Sequence, residues 1–206
     1  MGRFNSRFSR NFNWDIMNKI ATHDSGTGEK SKNFLHRLFK PFAKTQTKTI
    51  AEQWNMGVRY FDLRVNDKFV ISHGLWQANK NVYDILSELN VLALGDITNK
   101  TYIMITIERN YNNWKEIADK LKIIVQCYPN IHCVSINRKY PKWECIYNYN
   151  SPICAKDYVS VPSAKEYLMF KFKNWKKYIP MPKVLNKIYK RQYEFNNKYF
   201  VMVDFI

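Results

Sequence analysis

The stretch "VRYFDLRV", residues 58–65, decides how this chain is read. In an extended strand, side chains two residues apart share a face. Phe61, Leu63 and Val65 therefore form one apolar face, and Tyr60, Asp62 and Arg64 form the other. The apolar face suits packing against helices. A carboxylate and a guanidinium on the opposite face are costly to bury unless they are paired or used. A barrel whose interior holds a site has this arrangement. For this stretch alone, a buried salt bridge that merely fixes the strand accounts for the pattern equally well.

The pattern recurs along the chain. In "TYIMITIE" (101–108), Ile103, Ile105 and Ile107 share one face, with Met104, Thr106 and Glu108 opposite. In "YFVMVDFI" (199–206), Val201, Val203 and Phe205 oppose Met202, Asp204 and Ile206. "KFVISH" (68–73) ends its apolar run at His73, and a short strand over 19–22 ends just before His23. Several strands thus end on a titratable residue. In βα barrels the strand C-termini build the site.

Helical spacing of apolar residues marks "NVYDILSELNVLAL" (81–94), stopped by Gly95, and "NWKEIADKLKIIVQCY" (113–128). A short helix fits 49–56, an interrupted one fits "KNFLHRLFKPF", and 182–195 reads as helical. Further strands are expected at 131–136 and 166–172, and residues 137–162 read as irregular. Strands alternating with helices favour parallel βαβ units. With six or seven strands, the expected fold is an α/β barrel, a single domain over 14–206 preceded by a basic arm at 1–13.

The chain has 206 residues, 46% hydrophobic and 16% aromatic, so it can build one sizeable core and is not disordered. No apolar run is long enough to span a membrane, and no secretory signal is visible. Cys127, Cys133, Cys145 and Cys154 form no metal-binding spacing and read as reduced thiols, with a disulfide left open for a secreted protein. The net charge is +16; residues 1–50 and 161–206 each carry 10 Lys/Arg against 3 Asp/Glu. An excess concentrated at both ends draws the protein to polyanions, either nucleic acid or an anionic membrane face.

Residues 20–31, "IATHDSGTGEKS", look at first like a phosphate-cradling loop. The spacing excludes a P-loop: Glu29 separates Gly28 from Lys30, and His23 stands five before Gly28. The histidine itself is the better candidate for chemistry. His23 and His73 both fall at strand ends, with Asp24, Asp62, Arg64 and Asp204 available. Transfer at phosphorus suits two histidines, carboxylates to orient them and a fixed cation. One imidazole takes a proton from the attacking hydroxyl, the other protonates the leaving oxygen, and the guanidinium neutralises the growing charge.

With "IATHDSGT" (20–27), "QWNMGVRYFDLRV" (53–65), "ISHG" (71–74) and "VYDILSELNVL" (82–92), the chain resembles the catalytic X-type domain of phosphatidylinositol-specific phospholipases C over roughly residues 14–110. The closing "VMVDFI" is similar to the last strand of the bacterial, metal-independent members. The resemblance implies a distorted TIM barrel and a set of roles. His23 would be the general base for the inositol 2-hydroxyl, oriented by Asp204. His73 would be the general acid for the diacylglycerol leaving group, partnered by Asp24. Arg64 would hold the phosphate and Asp62 would position the cluster. The implied products are diacylglycerol and a cyclic inositol phosphate.

Arg64 stands where calcium-dependent relatives place acidic ligands, so no metal or other cofactor is expected; a cation gathered by Asp24, Asp62 and Glu108 is the alternative. Glu108 occupies a position where bacterial relatives usually carry lysine, which leaves head-group preference open between phosphatidylinositol, its glycosylated form and another phospholipid. Glu108 and Lys171 are candidate head-group contacts.

In a closed barrel the first and last strands are neighbours, which would bring the two basic ends together. Phe4, Phe8, Phe12 and Trp14, with Trp175, Tyr178 and Ile179, would then give a basic, aromatic surface for anionic lipid. A general compositional bias toward Lys, Asn, Tyr and Ile would leave the same residues. "MGRFNS" fits an N-myristoylation signal with Gly2 as acceptor. The expected partner is a phospholipid membrane met peripherally from a cytoplasmic or host-cytoplasmic location, by a monomer and without nucleic acid. A non-catalytic lipid- or nucleic-acid-binding protein is the rival reading.

Overall fold

The computed structural model describes residues 20–96, 98–108, 111–138, 155–157 and 200–203. Eight strands are found there: β1 (Ile20–Thr22), β2 (Tyr60–Val65), β3 (Val70–His73), β4 (Trp76–Asn81), β5 (Thr101–Ile107), β6 (Ile131–Arg138), β7 (Ala155–Asp157) and β8 (Phe200–Val203). The helices are α1 (Phe34–Ala43), α2 (Ile50–Asn55), α3 (Val82–Leu94) and α4 (Trp114–Gln126). Six strands run parallel in the order β7-β8-β1-β2-β5-β6. This is a distorted TIM barrel, with no pairing of β6 to β7 among the described residues. The first and last strands pair, as a barrel requires.

The distortion is local. β3 and β4 form an antiparallel hairpin that leaves the end of β2 at Val65 and Ile71. The expected strand over 68–73 and helix over 81–94 bracket it correctly, but β4 has no strand-like composition. In "WQANKN", Trp76 and Ala78 are buried, Asn79 is exposed, and Lys80 Nζ reaches Glu29 at 3.2 Å and Glu88 at 2.8 Å. β7, inside the stretch read as irregular, is the other departure. The expected strand at 166–172 and helix at 182–195 lie outside the described residues.

Helix starts follow local chemistry. Thr49 and Glu52 form a capping box at α2, and Asn81 and Asp84 form another at α3. Gly57, at φ 93°, ends the turn after α2 and lets the chain enter β2.

The two faces of β2 divide as its alternation predicts. Phe61, Leu63 and Val65 are fully buried with Ile103, Ile105 and Ile107 of β5 and with Leu86, Leu89 and Leu121 of the helices. On the inner face, Ala21, Tyr60 and Met104 make a smaller cluster joined by Tyr102 and Val134. All six residues of β2 are buried, the signature of a strand covered on both faces.

Candidate active site

The inner face beyond that small cluster is polar. Parallel register sets Asp62 beside Met104 and Arg64 beside Thr106, while β1 ends with Thr22 against Phe61. His23 and Asp24 follow directly. The chain turns there: Asp24 has φ 44°, a left-handed conformation that Asp tolerates better than most residues. Its amide donates to Asp62 Oδ2 at 3.1 Å, which fixes the turn against β2.

The turn is held by buried polar side chains from the following segment. Thr45 Oγ1 donates to the His23 carbonyl at 2.9 Å, and Gln46 Nε2 donates to the same oxygen at 3.1 Å. Thr27 Oγ1 donates to the Asp24 carbonyl, and Gln53 Nε2 to that of Ser25. These donors satisfy buried carbonyl oxygens of the turn, and the Asp24 carbonyl also accepts the Thr27 amide at 2.9 Å. A sequence reading missed Thr45, Gln46 and Gln53; the only signal is that they are uncharged polar residues, which also suit a surface loop. Gly26 and Gly28 permit close packing of this turn. A Cβ on Gly26 would lie 2.3 Å from Ile71, and one on Gly28 would lie 1.7 Å from the Lys48 carbonyl oxygen.

Six of the sequence-derived residues meet at this end of the barrel. His73 Nδ1 lies 2.8 Å from Asp24 Oδ2, and His23 Nε2 lies 3.4 Å from the same oxygen. Arg64 Nε is in close contact with Asp24 Oδ1 and is 3.6 Å from Asp62 Oδ2. A terminal guanidinium nitrogen lies 2.8 Å from His23 Nε2. Glu108 Oε2 is 3.6 Å from the other terminal nitrogen. Arginine is always a donor, so a neutral His23 ring would turn its Nε2 lone pair to Arg64 and carry its proton on Nδ1. His73 is the most open of the set, with its side chain 22% exposed, whereas His23, Asp24, Asp62, Arg64 and Glu108 are all buried.

The two aspartates titrate in opposite directions. Burial alone would raise Asp24, but the charges of Arg64, His23 and His73 outweigh it and hold the carboxyl far below its ordinary range. Burial raises Asp62 too; Arg64 offsets part of this, while the neighbouring Asp24 charge adds to it, so Asp62 ends above its ordinary value. Asp24 is therefore the charged anchor, and Asp62 is the carboxyl that more readily holds a proton.

Among the described residues, His23, Asp24 and Asp62 offer one ligand atom each within 4.8 Å of one another and could hold a cation. The guanidinium in contact with Asp24 competes for the same carboxylate. Asp204, Lys171 and Gly2 lie outside the described residues. Thr22 and Val203, the residues preceding His23 and Asp204, are paired across β1 and β8.

No family model matches the chain. The 1-phosphatidylinositol phosphodiesterase of Listeria monocytogenes is 28% identical over 93 residues, which are 45% of this chain and 29% of that protein. The phosphatidylinositol-specific phospholipase C structure from the same organism superposes with a TM-score of 0.61 at 16% identity, covering 92% of this chain and 89% of that one. A single-site mutant of the Staphylococcus aureus enzyme gives 0.58 at 14% identity, covering 91% and 85%. The chain thus has the fold of the bacterial phosphatidylinositol-specific phospholipases C and resembles them in sequence at low identity.

Proposed function

We propose that this chain is a phospholipase C-type phosphodiesterase. It cleaves phosphatidylinositol, or a glycosylated derivative, to diacylglycerol and a cyclic inositol phosphate. The observation that carries this reading is the convergence of His23, His73 and Arg64 on one buried, charged carboxylate, Asp24. His23 Nε2 takes the proton of the hydroxyl next to the phosphate ester. That oxygen attacks phosphorus and closes the ring. The bond to the glycerol oxygen breaks, and His73 supplies that oxygen with a proton. Asp24 steadies His73 through Nδ1, which keeps its other nitrogen for the transfer. Arg64 moves its donors from His23 to the phosphoryl oxygens as substrate enters, exposing the lone pair that His23 needs. Asp204 is proposed as the partner that orients His23.

The lipid is met at a surface. On α1, Phe34, Leu35, Leu38 and Phe42 are exposed, and Leu75 beside them is exposed as well. The His36 ring nitrogen lies 3.0 Å from the Leu75 carbonyl oxygen, tying α1 to the turn that follows His73. An open cleft of about 470 Å³ at the base of this helix is lined by Lys30, Arg37 and Lys40 among others. Apolar side chains flanked by cations suit peripheral contact with an anionic bilayer beside the site. No described helix is long and apolar enough to cross a membrane.

The test is incubation with phosphatidylinositol vesicles, with and without EDTA. Cyclic inositol phosphate and diacylglycerol should form at the same rate in both. Loss of activity with EDTA would assign the site to a cation instead of Arg64. Vesicle binding without any cleavage would favour a lipid-binding protein.

A further inference from the structure

We propose that Glu108 is a positioning residue that ties Arg64 to the turn directly after His73, and is not a contact to the head group. The inference rests on the phosphodiesterase reading above. Glu108 follows β5 directly, and its amide donates to the Val65 carbonyl at 2.8 Å, so its backbone is locked to the end of β2. Its side chain is 2% exposed. A head-group contact needs a carboxylate presented to the ligand, and this one is sealed inside the cluster.

The two carboxylate oxygens serve different elements. Oε1 accepts the Gly74 amide at 3.0 Å, and Oε2 faces Arg64 at 3.6 Å. Gly74 is the residue after His73 and has φ +59°, where glycine is at ease and most residues are strained. The turn has no side chain at Gly74 by which to be held, so its amide is the handle. Glu108 therefore bridges β2, which carries Arg64, and the β3–β4 turn that directly follows His73 at the end of β3. Those elements share a ladder only at Val65 and Ile71.

A lysine at this position would offer no acceptor to Gly74 and would set a like charge against Arg64. That is a physical reason why Glu108 and the rest of this cluster go together. A glutamine keeps the acceptor and loses the charge; an alanine loses both.

Two measurements on the full chain test the proposal. In amide hydrogen exchange, Gly74 should be as protected in Glu108→Gln as in the native protein. In Glu108→Ala and Glu108→Lys it should exchange about tenfold faster, as expected for one lost hydrogen bond. On phosphatidylinositol vesicles, Glu108→Ala should lose about 100-fold in kcat with little change in KM, the effect of a misplaced acid and arginine. Glu108→Gln should recover most of that loss. Unchanged Gly74 protection in Glu108→Ala would overturn the proposal. So would a raised KM at normal kcat, which would make Glu108 a head-group contact. If the native protein cleaves no phosphatidylinositol, the phosphodiesterase reading fails, while the exchange result still decides whether Glu108 ties the turn.

Discussion

The inner face of this barrel has two ends, made by the same strands and equally buried, that differ in what holds them. At the N-terminal end, Ala21, Tyr60 and Met104 pack as an apolar floor. Asp62 stands level with Met104, and His23 and Arg64 come just beyond; each of the three is less than a tenth exposed, and their contacts are polar. The floor is held by dispersion and exclusion of water. The mouth is held by charges that would each be costly alone and that support one another. Burial by itself therefore does not tell core from site; the sign and number of partners do.

That contrast can be broken from either end. The largest effect is expected at the mouth. His23→Ala and His73→Ala should each lower phosphatidylinositol cleavage by about 10²–10⁴-fold, the usual contribution of acid–base groups, with little change in thermal midpoint. Near-native rates in either variant would remove that histidine from the chemistry.

Asp24→Asn should cost about 3–5 kcal/mol in urea unfolding, because it leaves Arg64 buried against a neutral amide. Its folded carboxyl is depressed, so its stabilisation is full above the unfolded value near 3.8 and is lost as pH falls toward the folded one. The variant should have a flatter acid limb. An acid limb like that of the native protein would show that Asp24 is not the charged anchor.

At the floor, Met104→Ala should cost about 2–5 kcal/mol of stability while leaving turnover of the remaining folded protein close to native. Equal losses of turnover and stability would mean that floor and mouth are not separable.

Asp62→Asn should be the mildest change, within about 1 kcal/mol at neutral pH. Asp62 is raised when folded, so its ionisation costs stability as pH rises past its unfolded value. An asparagine oxygen can still accept the Asp24 amide. A loss as large as that of Asp24→Asn would contradict the opposite roles of the two carboxyls.

Much of the fold was legible because strand alternation is local. Phe61, Leu63 and Val65 against Asp62 and Arg64 gave the two faces of β2, and the same rule held for Ile103, Ile105 and Ile107. β4 was not legible. Asn79, Lys80 and Asn81 are poor strand formers; of the three, Asn81 pairs with Val70 of β3, and the buried Trp76 seats the strand at its other end. Within the site, titratable residues at strand ends pointed to His23, His73, Arg64 and Asp62. Thr45, Gln46 and Gln53 were invisible, since a polar residue that satisfies a buried carbonyl looks the same in sequence as one that faces water.

By itself, then, the amino-acid sequence determined which face of each strand is apolar and which residue types stand at the strand ends, because both depend on near neighbours. Only the tertiary structure decided that Asp24 is the shared partner of Arg64 and two histidines, that Asp62 titrates the opposite way, and that Glu108 reaches Gly74 across 34 positions. Those facts depend on parallel register between β1, β2 and β5 and on how deeply each carboxyl is buried, which no local pattern encodes.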